Sequence, residues 1–314
     1  MQDWSRSKRR NLVPENVPYS SFLNEWVVKG LKKRYPFLET GSIGHTVMGK
    51  KIPYMCIGEG KKEVFYSASF HANESITTPV LLRFVEEYAG AYRAGTTLYG
   101  VSAKELYEKY RLYVVPMVNP DGVDLVNRFL SEGIYYRQAK RIAQEYPRIP
   151  FPAGWKANLD GVDLNLQFPA GWETARNNKF AQGYISPAPR DYVGKAPLTA
   201  PEARAVYEFT REHPFELILA YHTQGRVIYW RYLDYEPAGS YPIGEYFGHV
   251  SGYKVEETPD VSGYAGYKDW FIQEYNRPGY TIEAGEGENP LPMTDFSRIY
   301  KENTGILLGG MTQI

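Results

Sequence analysis

The chain reads as an α/β domain with a mainly parallel sheet covered by helices on both faces. Three observations lead there. Short, almost wholly apolar runs at 64–70, 112–118, 217–221 and 280–282 have the length and uniform hydrophobicity of strands buried on both sides. Stretches of helical periodicity lie between them, as parallel neighbours require. Three of the runs are followed at once by a residue able to do chemistry, namely His71, His222 and Glu283. Ligands of such sheets collect beyond the carboxyl ends of the strands.

The elements follow in order. Residues 1–18 carry Arg6, Lys8, Arg9 and Arg10 with Pro14 and no periodicity, which marks a lead-in segment or linker remnant before a domain spanning 19–314. Ser20 and Ser21 cap a helix whose apolar positions are Leu23, Trp26, Val27 and Leu31. Extended runs at 42–47 and 52–57 flank a glycine-bearing turn and predict a hairpin. After the first buried run, Pro79 opens a helix with Val80, Leu81, Phe84, Val85 and Tyr88 on one face. Thr199, Pro201 and Glu202 predict a capping box for a helix running to about residue 213. A last helix starts at Asp295 and buries Phe296, Ile299, Ile306 and Leu307.

Composition narrows the function. At 314 residues the chain is about twice a typical domain of ~150, a size that a single α/β unit reaches. Apolar residues at 43% and charged residues at 23% allow a large core and exclude a disordered chain. Lys plus Arg equal Asp plus Glu at 36 each, so no net field draws the protein to nucleic acid or to an anionic membrane. No apolar run approaches the ~20 residues of a membrane span, and none follows the N-terminal charges as in a secretory leader. The sequence as written therefore predicts a cytoplasmic protein, or a wall-associated one if a wall-binding module precedes residue 1. Cys56 is the single cysteine, so any metal must be held by His and carboxylates. The 28 tyrosines and 6 tryptophans suit either a surface for a polymer of mixed polarity or half-buried filler.

His71 and Glu74 are three apart at a strand end, a pairing common enough to mean little alone. His222 closes another apolar strand. Together the three make a two-His, one-carboxylate set that leaves one tetrahedral position open, as a hydrolytic zinc requires. Such a site makes hydroxide available near neutrality. Glu283 can move the proton from water to a leaving nitrogen, with Glu286 and Glu288 in the following glycine-rich loop as competitors. Asn165 can donate its amide to a substrate carboxylate or carbonyl.

His71-x-x-Glu74, Asn119-Pro-Asp-Gly122, Gly161-Val-Asp-Leu-Asn165, His222 and Glu283 occur in the order found in the zinc carboxypeptidases, and the chain from about residue 42 onward resembles that family. The resemblance implies an eight-stranded mixed sheet sandwiched between helices. It also implies one Zn2+ on His71, Glu74 and His222, with Glu283 as general base and acid. Where relatives carry a carbonyl-polarising arginine, this chain has Lys156, a point charge rather than a planar fork.

Carboxypeptidases of the family follow the asparagine with an arginine that pairs with the substrate's terminal carboxylate; here that position is Leu166. No leucine replaces a bidentate ion pair. With its surrounding motifs the chain is similar to the bacillus-type γ-D-glutamyl-L-diamino acid endopeptidase I branch, whose members cut between D-glutamate and meso-diaminopimelate in peptidoglycan stem peptides. The implied partners are those peptides. Arg176, Arg190 and Arg226 are the cations available for their carboxylates. For the family's mobile tyrosine, Tyr264 between Gly263 and Gly266 is the first choice and Tyr267 the second. Two other readings stay open. One is a zinc carboxypeptidase or amidohydrolase acting on ordinary peptides or acylated amino acids. The other is a catalytically silent wall-binding module, which would not need Glu283.

Overall fold

The computed structural model describes residues 11–259 and 263–314, so the basic run at Arg6 to Arg10 lies outside the described residues. Helix α1 (Ser21–Arg34) starts where Ser20 Oγ accepts the Leu23 amide at 3.0 Å. Strands β1 (Glu39–His45) and β2 (Lys51–Ile57) form the expected antiparallel hairpin. Gly49 takes the left-handed conformation in its turn, φ +77°, which a side chain would resist. Strand β3 (Lys62–Ala68) leads to α2 (Thr77–Ala94), in which Val80, Leu81, Phe84, Val85 and Tyr88 are all buried. A small ribbon of β4 (Thr97–Leu98) and β5 (Val101–Ser102) precedes α3 (Ala103–Lys109) and strand β6 (Tyr110–Val115). Asn119 then caps α4 (Pro120–Val126) by accepting the Gly122 amide. Helices α5 (Gly133–Gln144), α6 (Trp172–Ala181) and α7 (Pro201–Arg211) follow, then β7 (Leu217–His222) and β8 (Val227–Tyr229). The chain ends through α8 (Ser240–Ser251), β9 (Lys254–Glu256), α9 (Tyr267–Tyr275), β10 (Gly279–Glu283) and α10 (Phe296–Thr312).

Eight strands form one sheet in the order β1-β2-β6-β3-β7-β10-β8-β9. Four pairings are parallel and three antiparallel, so the sheet is mixed rather than mainly parallel. The reason is connection length. Residues 223–226 between β7 and β8 are too few for a crossover, so β8 turns back and runs antiparallel to β10. In the central strands alternate residues enter opposite cores: Val64, Tyr66, Leu217 and Leu219 on one face, Phe65 and Ile218 on the other. This explains their unbroken hydrophobicity.

The capping box does not form. Ala200 holds the N-cap position of α7 without a side-chain bond. Thr199 Oγ1 donates to Gln167 Oε1 instead. Glu202 turns inward, accepting from the Val47 amide at 3.1 Å and from Asn158 Nδ2 at 2.9 Å. Residues 12 and 13 are tied to α2, where both carboxylate oxygens of Glu86 accept their amides. Among the described residues, no helix is long and apolar enough to cross a membrane.

Candidate metal centre and cleft

Strands β3 and β7 are parallel neighbours with Ala68 opposite Tyr221, so their carboxyl ends bring His71 and His222 to one place. His71 sits in extended backbone and opens a single 3-10 turn over Ala72–Glu74, which folds Glu74 back toward it. His71 Nδ1 lies 2.9 Å from Glu74 Oε1, His222 Nδ1 lies 2.9 Å from Glu74 Oε2, and the two Nδ1 atoms are 3.3 Å apart. Tetrahedral zinc with bonds of about 2.0–2.2 Å sets its ligand atoms about 3.3–3.6 Å from one another, a spacing close enough to these contacts for the donor set to close on that ion. The three residues are the group whose ligand atoms converge among the described residues, which leaves a coordination position for water or substrate.

Asp163 completes the centre from behind. Its Oδ1 lies 3.0 Å from His71 Nε2, so that nitrogen keeps its proton and Nδ1 is the one that gives up a proton when a metal binds the triad. The Asn165 and Asp191 amides brace the same carboxylate. Burial disfavours charge on Asp163, but His71 and Lys156 outweigh it and hold the carboxyl far below its usual range. Burial likewise opposes a charged His71, yet Glu74 and Asp163 push the ring up to about 9. A cation entering the triad therefore displaces a proton. Lys156 Nζ contacts Glu74 Oε1 at 3.2 Å; burial works against its charge, but Glu74 outweighs it and the ammonium is retained.

Glu283 ends β10 directly opposite His222 in the parallel pairing with β7. Burial raises its carboxyl above the ordinary range, and the nearby Glu74 adds to this against the pull of His222 and Lys156. Its two competitors are exposed. Glu286 faces Arg298 at 3.6 Å, and Glu288 lies farther along the loop.

A cleft of about 230 Å³ gathers His71, Lys156, Asn165, Leu166, Arg190 and Glu283. Asn165 Oδ1 accepts the Tyr267 amide at 3.0 Å, which points the carboxamide and leaves its NH2 group as a donor. Leu166 packs in a small apolar cluster with Trp172, Ala175, Val193 and Ala265. Of the three arginines, Arg176 pairs with Glu173 and Arg226 with Glu302, while Arg190 lines the cleft beside Asp191. A wider groove of about 810 Å³ continues from Lys156, Arg190 and Glu283 to Arg148, Gln224 and Asn289.

The tyrosines separate. Tyr264 packs on Leu166 and edge-on to Tyr232, and it lines a neighbouring depression with Arg231 and Leu233 rather than the cleft of the triad. Ser262, in the same stretch, is outside the described residues. Tyr267 is fully buried, stacked near Phe70 with its hydroxyl on Thr210, and cannot cover a substrate. Tyr229 stands in the cleft wall opposite Thr281, a position the sequence left unmarked because β8 has only three residues. Asp163, Lys268 and Asp269 also line the cleft. Asp163 was visible inside the Gly161 to Asn165 motif, whereas nothing local distinguishes the other two.

Comparison with known proteins agrees with this geometry. The zinc carboxypeptidase family model matches residues 24–305. The chain is 48% identical over 299 residues to gamma-D-glutamyl-L-diamino acid endopeptidase 1 of Lysinibacillus sphaericus, covering 95% of this chain and 72% of that protein. It is 40% identical over 298 residues to the uncharacterized protein YqgT of Bacillus subtilis (strain 168), covering 94% and 77%. The carboxypeptidase A structure from Helicoverpa armigera superposes with a TM-score of 0.69 at 20% identity over 98% of this chain and 76% of that one, which establishes a shared fold. With a zinc-fitting triad at the strand ends and a family match across most of its length, the chain belongs to the zinc carboxypeptidase family.

Proposed function

We propose that this protein hydrolyses the bond between γ-linked D-glutamate and the diamino acid of peptidoglycan stem peptides. The observation that carries the reading is Leu166, buried in apolar contacts beside the triad, where a peptidase that trims C-termini needs a cation. The 48% identity to the Lysinibacillus endopeptidase supports it. Bound on His71, Glu74 and His222, zinc supplies Lewis-acid polarisation of the scissile carbonyl and of water. Glu283, with its raised affinity for protons, takes a proton from the attacking water and delivers it to the leaving nitrogen. Lys156 places a retained positive charge where the carbonyl oxygen gains negative charge. Asn165 donates to the substrate through its free NH2 group, and Arg190 offers a guanidinium to a carboxylate. Tyr264 packs behind Leu166, which itself lines the cleft.

The test is incubation of the zinc-loaded protein with L-Ala-γ-D-Glu-meso-diaminopimelate and with an ordinary C-terminal peptide, products being read by mass. Release of the diamino acid from the first at the higher kcat/KM is expected. Faster trimming of the ordinary peptide would replace this reading with that of a carboxypeptidase.

A further inference from the structure

Strands β7 and β10 end side by side at His222 and Glu283, and the chain leaves each in a loop, residues 223–226 and 284–290. Backbone bonds already join these loops. The Gly285 carbonyl accepts the Gly225 amide at 2.8 Å and the Arg226 amide at 3.1 Å. Asn289 adds a connection of a different kind. Its Oδ1 accepts the Thr223 hydroxyl at 2.7 Å, and its Nδ2 donates to the Thr223 carbonyl at 3.0 Å. The Thr223 amide in turn donates to Glu74 Oε2 at 3.3 Å, the oxygen that also lies 2.9 Å from His222 Nδ1.

Every polar group of Thr223 is thus engaged, its hydroxyl and carbonyl by Asn289 and its amide by the carboxylate of the triad. Hydrogen bonds weaken steeply away from linearity, so two of them to one planar carboxamide fix the orientation of Thr223 as well as its distance. Thr223 is 3% exposed and Glu74 1%, so bulk water is not at hand to replace a misdirected amide. Such outer partners set the orientation of a ligand carboxylate, and losing them weakens metal binding. Joining the loops does not require Asn289, since the Gly285 carbonyl does that without side chains.

We infer that Asn289 is a positioning residue for the metal centre: it clasps Thr223 so that the Thr223 amide fixes the Glu74 carboxylate. Because Asn289 belongs to the loop that follows Glu283, the same clasp sets the proton-transferring carboxylate against the metal position. Asn289 acts through Thr223, not on the reacting atoms. The inference depends on the triad as a metal site and not on which peptide is cut.

Two measurements test it: zinc affinity by competition with a chelator, and kinetics at saturating zinc on whichever of the two peptides above the wild type cleaves. Asn289→Ala is expected to lose about tenfold in zinc affinity and about tenfold in kcat, with KM little changed. Thr223→Val, which removes only the hydroxyl, should lose part of the same affinity, and Thr223→Ser, which keeps the hydroxyl, should match the wild type. Added to Asn289→Ala, Thr223→Val should cost nothing further, since its partner is already gone. Tyr253→Phe controls for general loosening of the loop. The Tyr253 hydroxyl accepts the Gly285 amide at 3.1 Å and otherwise bonds to Glu302 and Asn303 rather than to Thr223. This variant should unfold at lower urea while keeping zinc affinity and kcat. Unchanged zinc affinity and kcat in a folded Asn289→Ala protein, equal losses in Tyr253→Phe, or a Thr223→Ser protein as weak as Thr223→Val overturns the inference. If Asn289→Ala does not fold, the two Thr223 variants decide. Cleavage of the ordinary peptide alone would remove the proposed stem-peptide activity and leave this comparison standing.

Discussion

His71 Nε2 lies 3.0 Å from Asp163 Oδ1, so a carboxylate 92 residues away determines which ring nitrogen of His71 is free for a metal. Asp163→Asn keeps the shape, loses the charge, and sets an NH2 group against either His71 or the Asp191 amide. Zinc affinity, read by competition with a chelator, is expected to fall about 10- to 100-fold. Unchanged affinity would reduce Asp163 to a brace for its own loop.

Glu283→Gln fills the same space beside His222 but cannot take up a proton. Zinc content should stay at one per chain while kcat falls by about 10²–10⁴-fold. A variant with a tenth of normal activity would assign the proton transfer to another group.

Lys156→Ala should lower kcat much more than it raises KM, with a loss of about 2.7–4 kcal/mol of transition-state stabilisation. Because Lys156 also touches Glu74, zinc content must be measured alongside. If KM alone moves, Lys156 is a ground-state contact.

Leu166→Arg would place a guanidinium among Trp172, Val193 and Ala265. We expect a loss of a few kcal/mol in stability by urea denaturation, together with weaker cleavage of the stem peptide and a relative gain in C-terminal trimming. An unchanged ratio of the two activities would show that Leu166 has no part in substrate choice.

Glu202 gives a pH-dependent test of the fold. Burial raises its carboxyl from 4.5 to about 7, against hydrogen bonds from Asn158 and Val47 that favour the charged form. The folded state thus holds the proton more tightly than the unfolded chain. This contribution is fully present below about pH 4.5 and is lost as pH rises through about 7, amounting to up to about 3 kcal/mol. Relative to the wild type, Glu202→Gln should therefore gain stability between pH 5 and pH 8 by that order, in denaturation series at fixed zinc. Parallel pH profiles would show that Glu202 does not carry this term.

Much of the site was legible from local pattern. Runs such as 64–70 and 217–221 fit doubly buried strands by their length and uniform hydrophobicity, and residues at or just past the carboxyl ends of parallel strands gather on one edge of the sheet. That logic places His71, His222 and Glu283 together before any coordinates are known. It fails where periodicity fails. Three-residue strands such as β8 and β9 are too short to show a period, and α9 is buried nearly all round, so no polar face marks it as a helix.

The sequence was enough for the metal-ligand types and for the chemistry of the strand ends, since both depend on residue identity and on short-range hydrophobic pattern. Tertiary structure alone decided which partners face them. Asp163 reaches His71 across 92 residues, and Glu202 turns inward to Val47 across 155 instead of capping its own helix. Tyr264 turns into an apolar cluster with Leu166, and Lys268 and Asp269 meet in the cleft wall. Each of these outcomes depends on how distant segments share a low-dielectric space, where one unpaired polar group outweighs any local preference.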